Sequence, residues 1–113
     1  MSKTTRGTVT IALGDKELTL KPTLDAVRKI EARFGGLRGA LQAAGELSIE
    51  ATSHIIAAGA GLKPDAAKAL PEQVFQAGVS DISPQLVPYI LFLMNPSQKD
   101  EADEGNEQSD AAP

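Results

Sequence analysis

The sequence predicts an α+β fold that is mostly α: an N-terminal β-hairpin packed on a small bundle of four to five helices, then a disordered acidic C-terminal tail. Three observations carry that reading. Residues 8–13 and 17–21 alternate apolar and polar side chains, the period of a half-buried strand. From Thr23 to Met94, apolar residues recur at helical spacing between cap and stop signals. Beyond Asn95 the apolar content gives way to acidic residues.

Residues 1–6 are polar and expected to be frayed. In the first strand Val9, Ile11 and Leu13 share one face, with Thr8, Thr10 and Ala12 on the other. Leu18 and Leu20 are the inward residues of the second strand. Gly14-Asp15 forms a tight two-residue turn, or a longer loop runs through Gly14-Asp15-Lys16-Glu17. Either register brings the two apolar faces together. A lone hairpin is marginal in water, so this one is expected to lie on the helices.

The stretch Thr23 to Gly36 organises the chain, because both ends of a helix are written into it. Thr23 can cap the first turn and Asp25 places negative charge there, where the helix dipole favours it. Gly35 and Gly36 supply the left-handed stop. Leu24, Val27, Ile30 and Phe34 make its apolar stripe. With Val9, Ile11, Leu18 and Leu20, these four are the expected core. Phe34→Ala is expected to cost about 3–5 kcal/mol.

A short helix follows from Leu37 to Ala44, closed by Gly45. Ser48 caps a third helix running from Ile49 to about Ala58. The small residues 57–61 allow another backbone to come close. Asp65 to Leu70 is a turn of helix, and Pro71-Glu72 opens a further helix ending at Gly78. Ser83-Pro84 reads as a cap followed by proline at the first helical position. The last helix then holds the most apolar segment of the chain, with Pro88 able to kink its first turn and Asn95-Pro96 stopping it. The chain thus divides into a frayed start, one domain over residues 7–94 and a tail over 95–113.

Composition narrows the chemistry. There is no cysteine, which removes disulfides and thiolate sites and fits a cytosolic protein. No apolar run is long enough to span a membrane, and the N-terminus does not read as a secretory signal. The net charge of −4 is uneven: residues 95–113 hold six acidic side chains against Lys99 alone, whereas residues 1–94 are nearly neutral. Nothing resembles the clustered positive surface of a nucleic-acid-binding protein. His54 is the only histidine, and no motif adds the carboxylate and oxyanion donors that a Ser53/His54 pair would need. No metal ligand set and no cofactor motif is present, and Gly59-Ala60-Gly61-Leu62-Lys63 lacks the spacing of a phosphate loop. The reading is of a protein without catalytic residues.

The final helix is apolar almost all round. One reading makes it a central core helix. The other packs one side inward and offers Leu86, Tyr89, Ile90, Phe92, Leu93 and Met94 to a partner or to a second copy in weak self-association.

The order of signals resembles a known family. A G-x-V-x-I strand (Gly7, Val9, Ile11) precedes L-x-L (Leu18, Leu20) and P-T-L (Pro22, Thr23, Leu24). Then come I-E-x-x-F-G (Ile30, Glu31, Phe34, Gly35) and I-I-x-A-G (Ile55, Ile56, Ala58, Gly59). Over residues 7–94 this resembles the tail assembly chaperones of long-tailed phages, particularly the version encoded in gene transfer agents and related prophages, sometimes described as tail tube protein. The resemblance implies a non-enzymatic protein of the bacterial cytoplasm, absent from the mature virion. Its implied partner is the tape-measure protein, kept soluble until tail tube protein polymerises around it. It also implies that many relatives have a longer, frameshifted second product. The alternative is a structural subunit of the tail tube or tail terminus, which should need a larger sheet than two short strands.

Overall fold

The computed structural model describes residues 6–96. The expectations for residues 1–5 and for the tail from 97 onward lie outside the described residues. The chain forms two strands, β1 (Val9–Leu13) and β2 (Lys16–Leu20), followed by helices α1 (Leu24–Phe34), α2 (Leu37–Gly45), α3 (Ile49–Ala60), α4 (Pro64–Ala67), α5 (Leu70–Ala77) and α6 (Val79–Met94). It is therefore α+β and mostly α, a hairpin on a helical bundle.

The hairpin is antiparallel, with Val9 opposite Leu20, Ile11 opposite Leu18 and Leu13 opposite Lys16. That register selects the two-residue turn, with Gly14 at φ 68°. Ile11, Leu13 and Leu20 are buried, while Val9 and Leu18 are half-buried at the edge of the core.

Helix α1 is closed at both ends as its sequence dictates. The Thr23 hydroxyl accepts from the Ala26 N–H at 3.0 Å. Gly35 adopts φ 79° and its N–H donates to the Glu31 carbonyl at 2.8 Å. Ala26 and Ile30 are buried, and Val27 and Phe34 are half-buried against the core. Leu24 is not a core residue: it is 63% exposed. Two consecutive steps of three carry it about 120° around the helix from Ile30. Ala26, hidden in the sequence by its small size, takes the inward place.

Helices α2 and α3 run slightly past their expected ends, and Ser48 caps α3 by accepting from Ala51 N–H at 3.0 Å. The largest correction concerns α6. It begins at Val79, four residues before the expected cap. Ser83 is buried inside it, and its hydroxyl donates to the Ala44 carbonyl of α2. Pro84 and Pro88 sit within the helix and are exposed. Each removes an N–H from the helical ladder, but on that side water can take up the freed carbonyl.

The centre of the core is built by α3 and α6 beneath the hairpin. Ile55, Ile56, Leu86, Tyr89 and Ile90 are fully buried there.

Candidate functional site: the outer face of helix α6

Helix α6 has a buried face and an exposed one. Ile82, Leu86, Tyr89, Ile90 and Leu93 recur at helical spacing and are all buried. This overturns the assignment of Leu86, Tyr89, Ile90 and Leu93 to a partner surface. They are core residues, because α2, α3, α5 and β1 all pack on that side of the helix.

Tyr89 locks the inner face in place. Its hydroxyl donates to the Lys21 carbonyl at 2.6 Å, and the Lys21 N–H donates to the Gly59 carbonyl at 3.0 Å. One residue at the end of the hairpin thus joins α6 to α3. The approach depends on a bare backbone, since a Cβ on Gly59 would lie 2.9 Å from the Tyr89 hydroxyl and 3.0 Å from the Leu20 Cβ. Desolvation by burial pushes the Tyr89 phenol up to about 12 from its ordinary 10.0.

The opposite face carries Pro84, Pro88, Leu91 and Met94, spaced at four, three and three residues. Leu91 is 49% and Met94 40% exposed. Val87 and Phe92 flank the stripe and are half-buried. The Phe92 ring is held by the N-terminal segment: the Arg6 guanidinium lies 5.3 Å from its centroid, and the Gly7 backbone rests so close to it that a Cβ would overlap the ring. From Ile82 to Met94 the helix contains no charged residue. A solvent-facing helix stripe is usually laced with charge. This one offers only carbon, proline rings and a pliable methionine.

Of the six residues assigned to a partner surface from sequence, Met94 is exposed on this face and Phe92 borders it. Leu91, Pro84 and Pro88 were missed. The prolines held the signal: two prolines four residues apart are tolerated in one helix where their freed carbonyls reach water, and that side includes position 91.

Among the described residues no group of three or more His, Asp or Glu side chains is placed to hold a metal ion, and no single helix is long and apolar enough to cross a membrane. His54 is half-buried, donates from Nε2 to the Lys29 carbonyl at 3.2 Å and packs edge-on against Phe34. Comparison of the chain with protein-family models, with curated proteins and with solved structures found no match.

Proposed function

We propose that this protein is an assembly chaperone without enzymatic activity that covers apolar helix surface on a longer client chain. The observation that carries the proposal is the charge-free outward stripe of Pro84, Pro88, Leu91 and Met94. An amphipathic client helix presents its own apolar residues at steps of three and four, which match such a stripe. Contact over three helical turns is small for a stable complex, so binding is weak and reversible. Several copies along one client would hold it soluble, and a polymerising partner could displace them. The resemblance of residues 7–94 to phage tail assembly chaperones names the client in this proposal. It is the tape-measure protein, and tail tube protein is the polymer that displaces the chaperone in the bacterial cytoplasm.

The test is co-expression of client and chaperone, scored for soluble complex. The double variant Leu91→Glu/Met94→Glu should fold with a stability within about 0.5 kcal/mol of the parent, because both positions face solvent. It should leave the client insoluble. A double variant that still solubilises the client sinks the proposal. Recovery of the protein from purified particles would instead favour a structural tail subunit.

A further inference from the structure

The N-terminal segment reaches α6 before the sheet begins. Arg6, Gly7 and Thr8 lie ahead of the β1–β2 ladder, which starts at the Val9–Leu20 pair. Neither Gly7 nor Thr8 makes a backbone hydrogen bond among the described residues. Arg6 and Gly7 instead meet the Phe92 ring, the first through its guanidinium and the second through its backbone. Gly7 sits at φ 85°, a conformation that glycine takes without strain, and any Cβ there would overlap the ring. The close approach therefore needs a glycine at position 7.

The ring so covered adjoins the α6 stripe. Phe92 is half-buried, while Pro88, Leu91 and Met94 are exposed. At the rotation of an α-helix, Phe92 lies about 40° from Pro88, on the side away from Leu91. From Met94 through Leu91 to Pro88 the stripe covers about 120° of the helix, and with Phe92 it would cover about 160°. Phe92 is thus the aromatic group by which the stripe could widen, and it is the group the N-terminal segment meets.

We propose that Arg6 and Gly7 form a strap that covers Phe92 in the free protein and lifts when a client helix docks, adding the Phe92 ring to the α6 stripe. The inference rests on the chaperone reading and gives a regulation of that same surface. The cation–π contact at this exposed arginine favours the closed strap by a factor of about two to five. Apparent affinity falls with the fraction of strap that is closed. Reclosure over Phe92 competes with the client, so the strap keeps binding weak and assists release.

The experiment compares the full-length parent with Arg6→Ala and Gly7→Val, each labelled with 4-fluorophenylalanine. The chain has three phenylalanines, and the Phe92 signal is the one lost in Phe92→Leu. The change in ¹⁹F shift between H₂O and D₂O reports the exposure of each ring. It should rise at Phe92 in both variants and stay unchanged at Phe34 and Phe75. Arg6→Ala removes only an exposed side chain, so it tests the strap even where Gly7→Val lowers the urea midpoint. The same chains are co-expressed with the tape-measure protein, with the chaperone limiting. Soluble client should rise about two- to fivefold in Arg6→Ala, and adding Phe92→Leu to either variant should remove the gain. A parent that leaves the client insoluble overturns the chaperone reading and this inference with it. A parent that solubilises the client, beside variants that do no better, overturns the strap alone. So does a Phe92 signal unchanged in Arg6→Ala, or a gain that survives Phe92→Leu.

Discussion

Tyr89 concentrates the structural argument in one side chain. It is fully buried, and its only polar atom is spent on the Lys21 carbonyl, the residue that also reaches Gly59. Tyr89→Phe keeps the ring and leaves that carbonyl without its donor, so it should cost about 1–2 kcal/mol in urea unfolding. The raised pKa gives a second, independent readout. Below pH 10 the phenol is neutral in both folded and unfolded chains, and the stabilisation is fully present. Between the ordinary 10.0 and the folded value of about 12, only the unfolded chain ionises, so stability falls as pH rises. The loss approaches 2–3 kcal/mol, on the order of two pKa units. Tyr89→Phe should lack this alkaline decline relative to the parent. An equal decline in both proteins would show that Tyr89 does not titrate as its burial demands. Phe34 teaches the opposite lesson about residues. It lies in the apolar stripe yet is only half-buried, edge-on to His54. The full 3–5 kcal/mol of a buried phenylalanine therefore overstates its truncation, and about 1–2 kcal/mol is the better expectation.

Among the elements, α3 shows how a glycine can be required inside a helix. Alanine is ordinarily better there by roughly 0.5–1 kcal/mol. At position 59 the added methyl would meet Tyr89 and Leu20 at 2.9 and 3.0 Å, so Gly59→Ala should instead destabilise by about 1–2 kcal/mol. Because the nearest clash is with the Tyr89 hydroxyl, the double variant with Tyr89→Phe should lose less than the sum of the single losses. Additive losses in urea unfolding would mean that the two sites do not touch in solution. The local rules that were legible in the sequence worked at this scale. Thr23 and Ser48 cap, Gly35 stops α1, and the alternation at Val9–Leu13 fixed the inward face of the hairpin. These signals depend on neighbours a few residues apart. The sidedness of α6 does not. A helix apolar on most of its sides carries only a weak moment to orient it, so which face turned inward was decided by the elements that pack on it. Ser83 misled for the same reason: its hydroxyl satisfies a carbonyl 39 residues away instead of its own helix end.

At the scale of the whole molecule, an uncharged helix face and a strongly acidic segment follow one another along the sequence. Residues 1–94 carry ten basic and nine acidic side chains, so the folded part is close to neutral. A near-neutral body with an uncharged helix face is prone to associate with itself. The balancing charge follows directly after that face, since Asp100 comes six residues beyond Met94 and starts a segment holding six acids and one lysine after Pro96. Like charge on two approaching copies raises the cost of bringing their α6 stripes together. Removing residues 97–113 should therefore change urea stability by less than about 0.5 kcal/mol. The formal charge would move from −4 to +1. Light scattering should then show mass rising with concentration at pH 7, more strongly at low ionic strength in the parent-versus-truncated comparison, because added salt weakens the parent's own repulsion. Introducing Leu91→Glu/Met94→Glu into the truncated chain should restore the monomer. If the truncated chain stays monomeric at every concentration, the stripe is not adhesive. If it associates and the glutamates do not reverse it, the adhesive surface lies elsewhere, with Phe75, 64% exposed on α5, the next place to substitute.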